Sequence, residues 1–227
     1  MPSIFSLPSP FSKRPTAQAA ADPALPAPHA SRAQKKACRK MQARLDSARD
    51  VVDVIPSGEG DSLSCLIGRT YDPVNLLRVL VEELARTVEP VAHLRIASLS
   101  TSKRCTLELA ALLDAGHVRS LSFLISAFQA YHDPDIFADA RETLVVARAQ
   151  KFAAQTNHVK AWLLEFSGGR KLVALGSANL RSSRNTELMH LTWDAPLHDW
   201  LAGWIDHMVS TGVKTEREAK AVGDGAG

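Results

Sequence analysis

Apolar runs of strand length alternate along the chain with stretches in which apolar residues recur at helical spacing. The strand-like runs are 51–55, 63–67, 94–99, 121–125, 161–164, 172–175 and 188–193. Helical patterns occupy about 73–89, 107–113, 134–150 and 196–208. This order of elements predicts an α/β domain with a mixed, mostly parallel sheet flanked by helices.

The two ends of the chain differ from this patterned body. Residues 1–31 are rich in Pro, Ala and Ser without apolar periodicity, which predicts a disordered tail. The basic segment 32–50 carries a thin apolar stripe, so we expect a helical arm. That arm is either a solvated helix leading into the domain or a segment that neutralises nucleic-acid phosphates. The domain is expected over 51–212, followed by a charged, Gly-rich flexible tail over 213–227.

Composition narrows the class of protein only slightly. A formal net charge of +3 at pH 7 permits a polyanionic partner without demanding one. Three cysteines without Cys-x-x-Cys spacing argue against a zinc site and are typical of a reducing compartment. The sequence has no run of 18 apolar residues, and prolines interrupt the stretch where a signal peptide would need one. We therefore expect a cytoplasmic protein without membrane insertion.

The chemically informative residues surround the runs 161–164 and 172–175. The sequence Phe-Ser-Gly-Gly-Arg between these runs carries a turn signal, which predicts a hairpin. Side chains alternate along a strand, so His158 and Lys160 are expected on one face, and Ser177 with Asn179 on one face. An imidazole, an ammonium, a hydroxyl and an amide would then converge, and this set can bind and attack a phosphoryl group.

This arrangement resembles the HKD signature of the phospholipase D superfamily. The matching residues are His158, Lys160, Gly176, Ser177 and Asn179. Asn185 and Glu187 fit the downstream Asn-x-Glu of the family. Two features depart from the pattern: Glu165 replaces the usual Asp, and the gap from Glu165 to Gly176 is longer than usual. The chain is most similar to single-motif members from bacteria and their phages, with one HKD motif per chain.

The resemblance implies a phosphodiesterase that acts through a phosphohistidine intermediate and needs no metal or other cofactor. His158 would be the nucleophile in one copy and the general acid and base in a second copy. Lys160 and Asn179 would hold phosphate oxygens, and Ser177 would donate a hydrogen bond. Glu187 would orient His158, as a carboxylate does in a catalytic triad.

That mechanism requires two His-x-Lys units, whereas this sequence contains one. No other histidine is followed by lysine two positions later. A symmetric homodimer that completes the active site is therefore the expected partner arrangement.

A metal-independent nuclease is the favoured function, with nucleic acid as the expected partner. Lys103 and Arg104 follow a strand and open a helix, a position that suits anions, although an ordinary capping loop would look the same. Arg181 and Arg184 follow the motif and are either substrate contacts or solvated charges. The alternatives are a lipid or small-molecule phosphodiesterase, and a non-catalytic nucleic-acid-binding or assembly protein with the same fold.

Overall fold

The computed structural model describes residues 39–67, 72–181 and 185–214. The strands are β1 (Lys40–Leu45), β2 (Ser62–Ile67), β3 (Val91–Ala97), β4 (Leu121–Ser126), β5 (Lys151–Gln155), β6 (Ala161–Phe166), β7 (Lys171–Gly176) and β8 (Glu187–Trp193). The α-helices are α1 (Pro73–Thr87), α2 (Lys103–Asp114), α3 (Ala127–His132), α4 (Pro134–Arg141) and α5 (Ala195–Thr211). A 3₁₀-helix spans Ala48–Val54, and a π-helical turn spans Glu142–Val146.

All eight strands form one sheet in the order β1-β2-β8-β7-β6-β3-β4-β5. The pairs β1–β2, β3–β4 and β4–β5 are parallel, and the other four pairs are antiparallel. The predicted mixed α/β architecture is confirmed, but the sheet is not mostly parallel. The reason is the β6-β7-β8 meander, because the short turn between β6 and β7 can connect only antiparallel neighbours.

Helices cover the sheet on both faces, which creates two hydrophobic clusters. The larger cluster lies on the face that carries α1 and α2, and includes Leu80, Leu109 and Trp162. The second cluster packs α5 against the other face through residues such as Ile205 and Val173. Strand β4 lies between β3 and the edge strand β5 and is buried at all six positions. Such a strand reads as a continuous apolar run rather than an alternating one.

The N-terminal predictions need correction where the structure describes the chain. Lys40–Leu45, predicted as part of the helical arm 32–50, is a strand paired in parallel with β2. Its polar and apolar residues alternate with a period of two, which fits a strand better than a helix. The predicted strand 51–55 is instead mostly 3₁₀-helix. Asp50 bends the chain there by accepting hydrogen bonds from the main-chain N–H groups of Asp46 and Ser47, at 2.9 and 2.8 Å.

The remaining element predictions are largely confirmed. Strands β2, β3, β4 and β8, the β6–β7 hairpin and helices α1, α2 and α5 all lie where the pattern placed them. Helix α3 and strand β5 were missed, and the helix expected over 134–150 ends in the π-helical turn. The tails 1–31 and 215–227 and the arm residues 32–38 lie outside the described residues. In the described ranges, none of the helices has the length and apolar character that crossing a bilayer would require.

A polar network lies between α5 and the sheet. Arg95 on β3 donates to Glu165 of β6 at 2.7 Å and to Asp206 of α5 at 2.9 Å. His198 on α5 is fully buried nearby, and its Nδ1 lies 3.3 Å from Asp199. Burial lowers the pKa of His198 below its usual 6.5, although the contact with Asp199 opposes this shift. The folded protein therefore disfavours the protonated imidazole.

Stability should fall when the solution becomes mildly acidic. As the pH falls, His198 is protonated in the unfolded chain before it is protonated in the folded protein. The free energy of unfolding is therefore highest above about pH 6.5 and decreases as the pH falls below it. Urea denaturation at about pH 7.5 and about pH 5.5 measures the free energy of unfolding. This free energy should decrease less between the two pH values in His198→Gln than in the wild type. Replacement of the exposed His207 by Gln is the control. An unchanged pH dependence in His198→Gln would contradict this account.

Candidate active site

Three strand ends meet at one edge of the sheet. Ala161, the first residue of β6, pairs with Leu175 near the end of β7, and Gly176 pairs with Met189 near the start of β8. Two further main-chain bonds extend this ladder: Gly176 N–H donates to the Lys160 carbonyl at 3.1 Å, and Ser177 N–H donates to the Leu188 carbonyl at 3.0 Å. The polar residues that flank these strands are thereby held together.

We call this edge, with His158, Lys160, Ser177, Asn179 and Glu187, the polar edge. Four of these five residues are linked by direct hydrogen bonds or by electrostatic interaction. The structure thus places all the sequence-predicted catalytic candidates on segments that border one another.

His158 and Lys160 lie in the segment before β6 and not within a strand. The predicted strand geometry at these two positions is therefore wrong, because the ladder ends at the Lys160 carbonyl. The two side chains nevertheless meet. Lys160 Nζ lies 2.8 Å from His158 Nδ1 and donates to the His158 carbonyl oxygen at 2.9 Å. The His158 side chain is exposed, so a substrate can approach the ring from solvent.

Ser177 and Glu187 form the second pair of the polar edge. Ser177 Oγ donates to Glu187 Oε2 and accepts from Leu188 N–H at 3.0 Å. Partial burial lowers the pKa of Lys160, and the negative charge of Glu187 acts in the opposite direction. Glu187 therefore interacts with the ammonium group that contacts His158. Its predicted role in orienting His158 itself stays a prediction.

Asn179 lies on a loop that is anchored from beneath. Its neighbours Ala178 and Leu180 are buried, and Leu180 N–H donates to Ser98 Oγ at 3.1 Å. Thr101 forms an isolated parallel bridge with Leu180. Among the described residues, Asn179 Oδ1 is buried without a hydrogen-bond partner. The loop is thus held by main-chain bonds, while its amide side chain has unsatisfied hydrogen-bonding capacity.

Sequence reasoning missed the residues that hold this loop. Gln129 of α3 accepts from Thr101 N–H and donates to the Thr101 carbonyl, both at 2.7 Å. A glutamine is usually exposed, so the pattern of hydrophobic and polar positions did not predict that Gln129 is buried. Ser98 lies in the predicted strand 94–99, but its contact with Leu180 spans 82 positions and has no local signal.

Lys103 and Arg104 open α2 close to this loop. Lys103 Nζ lies 3.9 Å from Asp139 and remains largely exposed. Arg104 donates to Asp72 at 2.9 Å and to Asn75 at 2.8 Å, which connects α2 to the start of α1. Arg104 therefore has a structural role, whereas substrate contact by either residue stays a hypothesis.

Arg181 lies two residues after Asn179 and is about half exposed, with its guanidinium 3.6 Å from Asp133. Arg184 lies outside the described residues. Glu165, which occupies the acidic position of the motif, is bound to Arg95 on the α5 side of the sheet. This contact supports the interpretation of Glu165 as a structural carboxylate.

No group of three or more His, Cys, Asp or Glu side chains within 39–67, 72–181 and 185–214 is arranged to hold a metal ion. What the polar edge offers is a nucleophilic imidazole, a cation beside it and a carboxylate–hydroxyl pair. Together these groups can bind an anionic phosphorus centre and attack it.

Comparison with known proteins adds fold likenesses. No family model matches the sequence, and no curated protein sequence matches it. Nuc from Salmonella typhimurium, a phospholipase D family member, is 17% identical with a TM-score of 0.47, and the match covers 67% of this chain and 97% of Nuc.

Two further structures show the same range of similarity. NucT from Helicobacter pylori is 13% identical with a TM-score of 0.47, and the match covers 67% of this chain and 99% of NucT. Phosphatidylserine synthase from Haemophilus influenzae is 14% identical with a TM-score of 0.47, covering 64% of this chain and 39% of the synthase.

The ladder end at Gly176 should tolerate no side chain. A Cβ on Gly176 would lie 2.5 Å from the Leu188 carbonyl oxygen and 3.1 Å from Met189 Sδ, so β7 and β8 would have to separate. We expect Gly176→Ala to lower the free energy of unfolding by about 1–3 kcal/mol, measured by urea denaturation.

Gly203 on α5 is the matched control, because a Cβ there meets no atom within 4 Å. Gly203→Ala should be neutral or stabilising by up to about 1 kcal/mol, since alanine favours the helix. Equal stability of the two variants would show that the approach of β8 to Gly176 is not close.

Proposed function

We propose that this protein is a metal-independent nuclease that cleaves phosphodiesters through a phosphohistidine formed on His158. The observation that carries the proposal is the contact of the Lys160 ammonium with the His158 ring, 2.8 Å from Nδ1, beside the Ser177–Glu187 pair. The cation attracts the phosphate, and the imidazole next to it is the nucleophile that attacks the phosphorus atom.

Substrate binding would rearrange this contact. In the free protein the Lys160 ammonium lies against the His158 ring, with Nζ 2.8 Å from Nδ1 and 3.3 Å from Nε2. A non-bridging phosphate oxygen is a stronger, charged acceptor and would draw the ammonium away from the ring. The imidazole is then released for attack at the moment when the phosphorus atom is in place, and Asn179 contributes a further hydrogen bond to the phosphate.

The reaction then proceeds in two balanced steps. A His158 nitrogen forms a bond to phosphorus, the bond to the leaving oxygen breaks, and a second protonated histidine gives its proton to that oxygen. A water molecule next attacks phosphorus, returns a proton to the second histidine and breaks the nitrogen–phosphorus bond. Hydrogen bonds from Lys160 and Asn179 stabilise the charge on the equatorial oxygens in both steps.

The second histidine is His158 of another copy of the chain. Each chain supplies one His-x-Lys unit, so a symmetric dimer would place two His158 rings on opposite sides of one phosphorus atom. The exposed position of His158 at an edge of the sheet is compatible with such an approach.

Nucleic acid is the substrate class that fits the surface charge. The chain carries a net charge of +3, and the exposed side chains of Lys103 and Arg181 border the loop that holds Asn179. Cations at this position would bind the phosphates on either side of the scissile bond.

Cleavage assays in the presence of EDTA test the reaction directly. Labelled single-stranded and double-stranded DNA and RNA should be cut by the wild type, and His158→Ala should lower the rate by at least about 100-fold. His207→Ala, which replaces an exposed histidine of α5, should retain the rate. If EDTA abolishes cleavage, or if His158→Ala retains it, the proposed mechanism fails. Cleavage of lipid or small diesters alone would assign a different substrate class.

Subunit mixing tests the shared active site. When wild-type and His158→Ala chains exchange subunits in equal amounts, mixed dimers carry only one His158 and should be inactive. Activity per total protein should then fall to roughly one quarter, as expected for a site that needs both subunits of a symmetric pair. A fall to roughly one half, or a monomer that is fully active in sedimentation velocity, would contradict the shared site.

A further inference from the structure

We propose that an exposed aromatic cluster on α3 stacks the unpaired bases of a single-stranded nucleic acid whose backbone passes through the polar edge. The cluster consists of Phe128, Tyr131 and His132, and we call it the aromatic platform. This inference rests on the proposed function and extends it, because it assigns a preference for single strands and the residues that create it.

The aromatic platform is exposed to an unusual degree for side chains of this kind. Phe128 is 66% and Tyr131 43% exposed. The His132 ring lies 4.1 Å from the Phe128 ring and 5.0 Å from the Tyr131 ring, measured between centroids. Because His132 contacts both other rings, the cluster is a preassembled surface rather than three independent side chains, and preassembly lowers the entropic cost of binding a flat ligand.

The platform lies at the same end of the sheet as the polar edge. Helix α3 begins directly after β4, whose last residue Ser126 pairs with Gln155 at the end of β5. The segment 156–160, which includes His158, leads from there to β6. Since β4 and β6 are separated only by β3, the platform and His158 arise about two strand spacings apart, or roughly 10 Å.

Direct contacts also connect the platform to the motif loop. Gln129, which lies between the platform residues on α3, binds both main-chain groups of Thr101 at 2.7 Å. Thr101 in turn bridges Leu180, the residue after Asn179. Arg181 lies 3.6 Å from Asp133, the residue after His132. The rings and the phosphate-binding loop are therefore held in a fixed relation by buried hydrogen bonds and an ion pair.

The chemistry of the platform favours a nucleic-acid base over an aliphatic ligand. The sequence of α3 is Ala-Phe-Gln-Ala-Tyr-His and contains no Leu, Ile, Val or Met, so it has no aliphatic anchor for a lipid. Each ring instead offers a flat face, and every base can stack on such a face whatever its sequence. The half-exposed Arg181, which contacts Asp133 next to His132, supplies the charge that a neighbouring phosphate requires. Bases in a duplex are already stacked on each other, so only unpaired bases can occupy the platform.

The test measures binding rather than cleavage, with His158→Ala in every protein so that the probe stays intact. The probes are a short fluorescein-labelled oligothymidine and an abasic strand of equal length and charge. Fluorescence anisotropy should show that Phe128→Ala and Tyr131→Ala together weaken binding of oligothymidine by about 5- to 100-fold. The abasic strand should be bound equally by the parent and the variant. A failure of catalysis would leave this result unaffected, because no cleavage is measured.

Trp200 provides the matched control, since it is an aromatic side chain 47% exposed on α5, which packs against the opposite face of the sheet. Trp200→Ala should bind both strands as the parent does, and Tyr131→Phe should retain binding because it keeps the ring. Equal losses on the two strands, no loss at all, or a shift from dimer to monomer in sedimentation velocity would each overturn the proposal. The last outcome would assign the platform to contact between two copies of the chain.

Discussion

Main-chain hydrogen bonds at the ends of β6, β7 and β8 determine where the side chains of the polar edge stand. The hydrogen bonds from Gly176 N–H to the Lys160 carbonyl and from Ser177 N–H to the Leu188 carbonyl fix the register and the direction of the main chain at these points. A shift of one residue in this register would move each side chain by about 3.3 Å and turn it to the other face of the sheet. Strand pairing therefore determines where the side chains of the proposed active site lie, and the contacts between these side chains are a secondary contribution.

The loop after β7 has no strand partner and needs other support. Ser98, Thr101 and Gln129 provide it from two different connections of the sheet, through buried hydrogen bonds. Each such bond contributes about 1 kcal/mol net, and its loss would leave a buried polar group without a partner. The loop that carries Asn179 is thus held by hydrogen bonds outside the strand ladder, and a group that must meet a phosphate oxygen requires such support.

The sequence predicted the motif and the hairpin because both are local. Spacing places His158, Lys160 and Ser177 relative to two apolar runs, and a Gly-Gly turn specifies an antiparallel connection. The order of strands in a sheet leaves no local signal in the sequence, so the prediction of a mostly parallel sheet was wrong. Lys40–Leu45 was predicted as helix because Met41, Leu45 and Ala48 form a thin apolar stripe at helical spacing, although the period of two was already present. Helix α3, at six residues, is too short to show a helical period.

The order of strands in the sheet also has a consequence during synthesis on the ribosome. Strand β2 pairs on one side with β8, and the partners Ser64 and His190 are 126 positions apart. At about 5–20 residues per second, β1 and β2 are translated roughly 6 to 25 s before β8 exists. Throughout that interval the edge of β2 that will receive β8 has no partner, with Leu63, Cys65 and Ile67 not yet covered by that neighbour. Nascent chains should therefore be most vulnerable to aggregation and most dependent on chaperones at this stage, long after the first half of the sheet has left the ribosome.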